Sequence, residues 1–96
     1  MKKYDLGLKL KVQITKQKGQ YIAWTPSLDL STSGRSEKEV QRRFEEAVSL
    51  FLEELVEAGT INEVLTSLGW KKELKSWAPP KIVKQQTVRV NIPLAA

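Results

Sequence analysis

The stretch from Ser36 to Ala58 is the sequence feature that most narrowly limits what this chain can fold into. Its apolar residues recur every three or four positions, which marks one face of a helix. Ser36 and Glu39 have the spacing of a capping box at its start, and Gly59 is a natural stop at its end. The apolar residues are Val40, Phe44, Ala47, Val48, Phe51, Leu52 and Leu55. A helix of this kind needs an apolar layer to pack against.

Alternating sequence before the helix predicts that layer. From Leu8 to Thr15, apolar and polar residues alternate strictly, which is typical of a half-buried antiparallel strand. Residues 16–19 are polar and end in a glycine, which favours a hairpin turn, and Gln20–Thr25 is the expected return strand. The segment Leu28–Ser33 is predicted to be a short third strand or an extended segment.

A short second helix is predicted directly after the first. Thr60 and Glu63 repeat the capping-box spacing. Gly69 should end this helix after about two turns, because glycine readily adopts the left-handed conformation of a helix end. Trp70 would then fold back onto Leu65.

Two extended segments complete the predicted order, β-β-β-α-α-β. Residues 77–80 should be extended because a residue before proline avoids the α region, and alternation from Thr87 to Ile92 predicts a last strand. The predicted fold class is therefore α+β, with a three- to four-stranded antiparallel sheet packed on one long helix plus a short second helix. We expect a single domain over 1–96, with its core in 8–58 and a C-terminal helix, proline linker and strand in 60–96.

The composition argues against catalysis. The 96 residues include no histidine and no cysteine, so the commonest general base and the usual zinc ligands are missing. Asp29 is expected to have a structural role, accepting hydrogen bonds in the turn after Pro26. We predict that the chain is not an enzyme and holds no cofactor or metal. No apolar run follows Met1, so we expect no signal peptide, no membrane span and a cytoplasmic location.

Charge is distributed unevenly along the chain. Residues 36–63 carry three basic and eight acidic side chains, residues 21–35 carry one of each, and residues 1–20 and 64–96 each have a net charge of +5. Lys9, Lys11 and Arg89 would form an anion-binding face if the first and last strands lay in one sheet, which predicts a stand-alone nucleic-acid-binding protein as the alternative function. The candidate acidic partner face on the long helix consists of Glu45, Glu46, Glu53, Glu54 and Glu57.

Two of the three tryptophans have no single predicted role. Trp24 lies on a strand, where it belongs either to the core or to an interface. Trp77 stands beside two prolines and either packs over the sheet edge or contacts a partner. A dimer would form through strand pairing or through this C-terminal region.

An ordered set of residues in the first half of the chain resembles the HicB family of antitoxin-like domains. The family pattern is a Tyr-x-Ala strand, a Pro and a Leu shortly after it, a Ser/Thr-x-Gly-x-Ser/Thr turn, and a helix with Glu near its start. The resemblance covers about residues 8–58, and Val40 departs from it where an Ala is usual. The motif residues are Tyr21, Ala23, Trp24, Pro26, Leu28, Asp29, Gly34, Ser36 and Glu39.

This resemblance implies a partial RNase H-like fold without the acidic cluster of the nuclease. It also implies a homodimer or homotetramer, and a complex with a small HicA-type toxin that acts on RNA. HicB antitoxins often carry a C-terminal helical DNA-binding domain. No helix is predicted after the strand at 87–92, so direct DNA binding is not expected.

Overall fold

Residues 7–94 form two small sheets and two helices. The structure, a computed structural model, describes residues 7–94, so the N-terminal segment expected to lack a leader lies largely outside the described residues. In chain order the elements are β1 (Gly7–Leu8), β2 (Gln13–Gln17), β3 (Gln20–Thr25), β4 (Leu30–Gly34), α1 (Glu37–Ala58), α2 (Ile61–Ser67), β5 (Lys71–Lys72) and β6 (Ser76–Ala78). The two sheets have the strand orders β2-β3-β4 and β1-β6-β5.

Strands β2, β3 and β4 form an antiparallel meander whose register follows from a tight turn. Lys18 and Gly19 have φ values of 50° and 79°. A two-residue type I′ turn, which is favoured in hairpins, requires positive φ at both of its central residues. The predicted hairpin is therefore confirmed. Its register places Ile14 beside Ala23, which is fully buried beneath α1. Trp24, the next residue along β3, points to the opposite face of the sheet.

Helix α1 begins and ends where the local sequence predicts. The Oγ of Ser36 accepts a hydrogen bond from the N–H of Glu39 at 3.0 Å. At the other end, Gly59 has a φ of 72°. The N–H of Thr60 donates to the carbonyl of Leu55 at 2.9 Å, which completes a Schellman motif.

The apolar stripe of α1 packs mainly on β4 and β3, leaving β2 at the edge. Val40, Phe44 and Val48 are buried in this contact. The approach is closest at Gly34, where an added Cβ would lie 2.8 Å from the backbone nitrogen of Val40. Because only a hydrogen fits there, glycine allows the first turn of the helix to rest on the end of β4.

Helix α2 closes one end of the core and ends in a second Schellman motif. Gly69 has a φ of 95°, and the N–H of Trp70 donates to the carbonyl of Leu65 at 3.0 Å. The predicted helix end is thus confirmed. The indole of Trp70 is only 2% exposed, so it is one of the main side chains of the core.

The prediction that the Thr60 side chain caps α2 is wrong. Thr60 precedes α2, but its side chain makes no capping hydrogen bond. Its backbone has φ −114° and ψ 9°, whereas a capping residue is usually extended. Thr60 also completes the Schellman motif of α1, and this double role sets its backbone conformation.

The predicted first strand, Leu8–Thr15, is in fact two strands in different sheets. Leu8 in β1 pairs in parallel with Trp77 in β6, residues 9–12 lie outside any strand, and the chain then enters β2. Leu8 and Leu10 both pack against the core. The apolar alternation therefore continues through the change of sheet and does not reveal it.

The strand that follows α2 lies at Ser76–Ala78, not at Thr87–Ile92 as predicted. Residues 79–94, here called the arm, have no regular secondary structure, and every one of them is exposed. Alternation at 87–92 marks a segment suited to a sheet, but the described part of the chain offers it no partner strand. The prediction that residues 77–80 are extended holds for Trp77 and Ala78, which lie in β6.

These elements confirm the α+β class: a three-stranded antiparallel sheet, a long helix, a short second helix and a strand after them. Trp77 is only 5% exposed, so it belongs to the core of its own chain. One cluster of buried apolar residues joins the two sheets and both helices. It consists of Ala23, Leu28, Val40, Phe44, Val48, Leu65, Trp70 and Trp77.

Candidate partner-binding surface

The outer side of α1 carries the acidic face predicted from the sequence. The five residues Glu45, Glu46, Glu53, Glu54 and Glu57 are all exposed. Among the described residues, one of the five is in an ion pair: the carboxylate of Glu46 lies 3.5 Å from the guanidinium of Arg42. Both side chains of this pair are more than 60% exposed, so the pair is well solvated and weak. Most of the acidic charge is therefore open to a partner.

An apolar side chain projects from the middle of this acidic surface. Leu50 is 58% exposed and lines a shallow depression of about 580 Å³. Val56, six residues further along α1, is also more than half exposed. The depression is lined by Arg42, Glu45, Glu46, Ser49, Leu50 and Glu53. An apolar centre with a charged rim is the arrangement found at protein–protein contacts.

A second depression, here called the apolar groove, runs between α1 and the edge strand β2. It has a volume of about 510 Å³. Its sheet side includes Val12 and Ile14, which are 39% and 40% exposed, and its helix side includes Phe44 and Val48. The remaining lining residues are Leu10, Ala23, Gln41, Glu45 and Ser49. This groove adjoins the acidic face, since Glu45 and Ser49 line both depressions.

The predicted anion-binding face is not formed. Lys9 and Lys11 are exposed in the segment between β1 and β2, and Arg89 lies in the arm, outside either sheet. The prediction required a last strand at 87–92 beside the first strand, and the first strand pairs with Ser76–Ala78 instead. Trp24, 39% exposed, lies on the uncovered face of the meander, so it faces solvent and does not belong to the core.

Most of the remaining motif residues have structural roles. Ala23 and Leu28 are buried and Tyr21 packs against the core, while Gly34 allows the close approach of α1. In the turn after β3, the N–H of Asp29 donates to the carbonyl of Pro26 at 3.2 Å, and Asp29 has a φ of 54°. Asp29 is therefore a turn residue, but its backbone N–H donates the hydrogen bond, whereas the prediction had Asp29 accepting hydrogen bonds.

Glu39 links the start of α1 to the end of β4. Its Oε1 accepts a hydrogen bond from the N–H of Arg35 at 2.6 Å, and its Oε2 lies 3.8 Å from the guanidinium of Arg43. The hydrogen bond from Arg35 is the main cause that lowers the pKa of Glu39. Desolvation opposes it, and the charge of Arg43 adds to it. Ser36, Glu39 and Arg43 therefore fix the helix start and are not arranged to perform chemistry.

Sequence reasoning missed Leu50 and the apolar groove. Leu50 falls outside the apolar stripe of α1, and this off-stripe position was the available signal. The groove gave no sequence signal, because it depends on the offset between α1 and β2.

Among residues 7–94, no group of three or more metal-ligating side chains could hold an ion. Over the same range, no helix has the length and apolar character needed to cross a membrane. Comparison of the chain with protein-family models, curated proteins and solved structures found no significant match. The functional proposal therefore rests on the surfaces of the chain itself.

Proposed function

We propose that this chain is a non-catalytic binding module of the HicB-like antitoxin kind, which binds and neutralises a small basic toxin that acts on RNA. The observation that carries the proposal is the depression on α1, where exposed Leu50 is surrounded by glutamates. The partner would place an apolar side chain against Leu50 and basic side chains against Glu46 and Glu53.

Charge supports a basic partner. Helix α1 contains seven glutamates against Lys38, Arg42 and Arg43, a net charge of −4. Complementary charge accelerates association and selects partners, while the apolar centre supplies contact area that excludes water. An acidic surface of this kind would also compete with RNA for the basic site of an RNA-acting protein.

Two further features agree with a HicB-like module. The full sequence has no histidine and no cysteine, so the common nucleophile–base pairs are absent. The antiparallel meander followed by α1 is consistent with the partial RNase H-like fold that the motif implies. The motif residues that fix the meander and the start of α1 support this reading, because they build the scaffold and leave the outer helix face for binding.

The proposal is tested by purifying the tagged chain from its native host. We expect a small basic protein to copurify, and we expect co-expression of the chain to relieve the growth arrest and RNA cleavage that this protein causes. The variant Glu46→Lys/Glu53→Lys should lose both effects. The control Glu73→Lys, an exposed charge reversal near β5, should retain them. Recovery of the tagged chain without any basic companion would overturn the proposal.

Nucleic-acid binding is the second candidate, favoured by four exposed lysines at positions 9, 11, 16 and 18. It predicts that the purified chain binds a labelled single-stranded RNA, with an affinity that falls steeply as salt rises. The absence of binding at about 50 mM salt would exclude it. Binding that is weakened by Lys16→Glu but unaffected by Glu46→Lys/Glu53→Lys would favour it over the antitoxin proposal.

A further inference from the structure

The arm carries apolar residues that the rest of the chain leaves uncovered. Val88, Val90 and Ile92 alternate with Arg89 and Asn91 and are 64%, 77% and 82% exposed. Among the described residues, the backbone of 81–94 makes no hydrogen bond to the rest of the chain. The Cα radius of gyration is 16.8 Å, against about 12–13 Å for a compact domain of this length. The arm therefore projects from the folded body.

The apolar groove provides an unpaired strand edge and an apolar surface, and within the described part of the chain the arm has neither a strand partner nor cover for its apolar side chains. β2 is an edge strand, so one side of its backbone has no strand partner among residues 7–94. Exposed edges of this kind are templates for an added strand. Val12 and Ile14 form the sheet side of the groove beside this edge. A strand added to β2 would place every second side chain over the groove and against α1.

The spacing of the apolar residues in the arm and the net charge of the arm both suit this groove. Val88, Val90 and Ile92 occupy alternate positions, which is the spacing that an added strand presents to one face. The arm has a net charge of +3 from Lys81, Lys84 and Arg89, opposite in sign to the −4 of α1, although Arg89 itself would lie on the face of the added strand turned away from the groove. The segment 87–92 is long enough to pair along the whole of β2, which spans five residues.

We propose that the arm of one copy adds as a strand to β2 of a second copy, with Val88, Val90 and Ile92 in the apolar groove, and that the exchange is reciprocal. Each copy then both donates an arm and accepts one, which gives a closed two-fold dimer. The inference does not depend on the proposed function, because the acidic depression around Leu50 lies beside the groove and is not filled by the arm.

The first test measures the self-association of the full chain by sedimentation equilibrium between about 1 and 100 µM, the range in which interfaces of modest size associate. We expect a reversible dimer. Val90→Asp should raise the dimer dissociation constant at least about tenfold, because it places a charge in an apolar contact. The matched control Asn91→Asp adds the same charge to the opposite face of the arm and should leave the dimer intact.

The groove is tested with a second matched pair. Ile14→Asp should weaken the dimer as much as Val90→Asp does, whereas Thr15→Asp, on the other face of β2, should not. Ile14 is 40% exposed and Val90 is 77% exposed, so neither change should unfold the monomer. Urea unfolding followed by tryptophan fluorescence confirms this for each variant.

Mixing the two weakened variants gives the decisive result. The Ile14→Asp chain keeps an intact arm and the Val90→Asp chain keeps an intact groove, so together they should form a 1:1 heterodimer, seen by native mass spectrometry, that neither forms alone. A monomeric wild type at about 100 µM would overturn the proposal. So would an Ile14→Asp chain that dimerises normally, since the arms would then pair with each other or with another surface.

Discussion

The indole Nε1 of Trp70 donates a hydrogen bond of 2.8 Å to the backbone carbonyl of Ser27. This bond joins Trp70, which follows the end of α2, to the turn between β3 and β4. Trp70 is 2% exposed, so without this bond its buried N–H would have no partner. The hydrogen bond therefore fixes the orientation of the Trp70 side chain against the meander, in addition to the apolar contacts that this side chain makes in the core.

Trp70→Phe should lower the free energy of unfolding by about 1–3 kcal/mol, because it leaves the carbonyl of Ser27 without its donor. Trp70→Ala should cost about 3–5 kcal/mol, because it adds a cavity to that loss. Urea denaturation followed by circular dichroism measures both values. Equal stability of Trp70→Phe and the wild type would mean that the hydrogen bond contributes nothing.

Gly34→Ala should destabilise the fold by about 1–3 kcal/mol, because the new Cβ would meet backbone atoms of Val40 that cannot rotate away. Thermal unfolding measures the change. Ser31→Ala, an exposed change on the same strand, is the control and should stay within about 0.5 kcal/mol of the wild type. If Gly34→Ala left the free energy of unfolding unchanged, α1 would have to move away from the new methyl group without any loss of stability.

Phe44→Ala should cost about 3–5 kcal/mol, whereas Phe51→Ala should cost clearly less. The sequence gives both phenylalanines the same place in the apolar stripe. In the structure, Phe44 is 5% exposed beneath the meander and Phe51 is only half-buried. Chemical denaturation of the two variants checks the order of their stabilities, and equal losses would contradict the packing described for α1.

Glu39 should make stability depend on pH in the acid range. Folding lowers its pKa, chiefly through the hydrogen bond from Arg35, so ionised Glu39 contributes stability above its unfolded pKa. This contribution is lost as pH falls through the lower folded pKa. Glu39→Gln should therefore be less stable than the wild type at pH 7, and the difference should shrink on acidification. A stability difference between Glu39→Gln and the wild type that is the same at pH 7 and at acid pH would contradict this prediction.

Local features of the fold could be predicted from sequence, because each depends on neighbours within a few residues. The cap at Ser36, the turn at Lys18 and Gly19, and the helix end before Trp70 are of this kind. The acidic face could also be predicted, since helical spacing alone places its glutamates. The existence of a sheet packed on α1 followed from the amphipathic patterns.

Features that depend on distant partners could not be predicted. The parallel pairing of Gly7 with Ser76 joins segments whose sequences give no sign of each other. The arm shows the opposite case, because its alternation at 87–92 fits a strand while the described chain gives it no neighbour. The apolar groove depends on how far α1 is offset from β2. The spacing of residues within α1 or within β2 does not predict this offset.

The pairing of β1 with β6 bears on how the chain folds. It joins segments on either side of both helices and the meander. The entropy cost of closing such a loop rises with its length, so contacts between distant segments tend to form late. We expect the meander and α1 to collapse first and the β1–β6 pair to form last. The backbone amide hydrogens of the β1–β6 pair should then exchange with solvent through a local opening that leaves the rest of the chain folded. Trp77, held by this pair, would be the first core side chain to meet water.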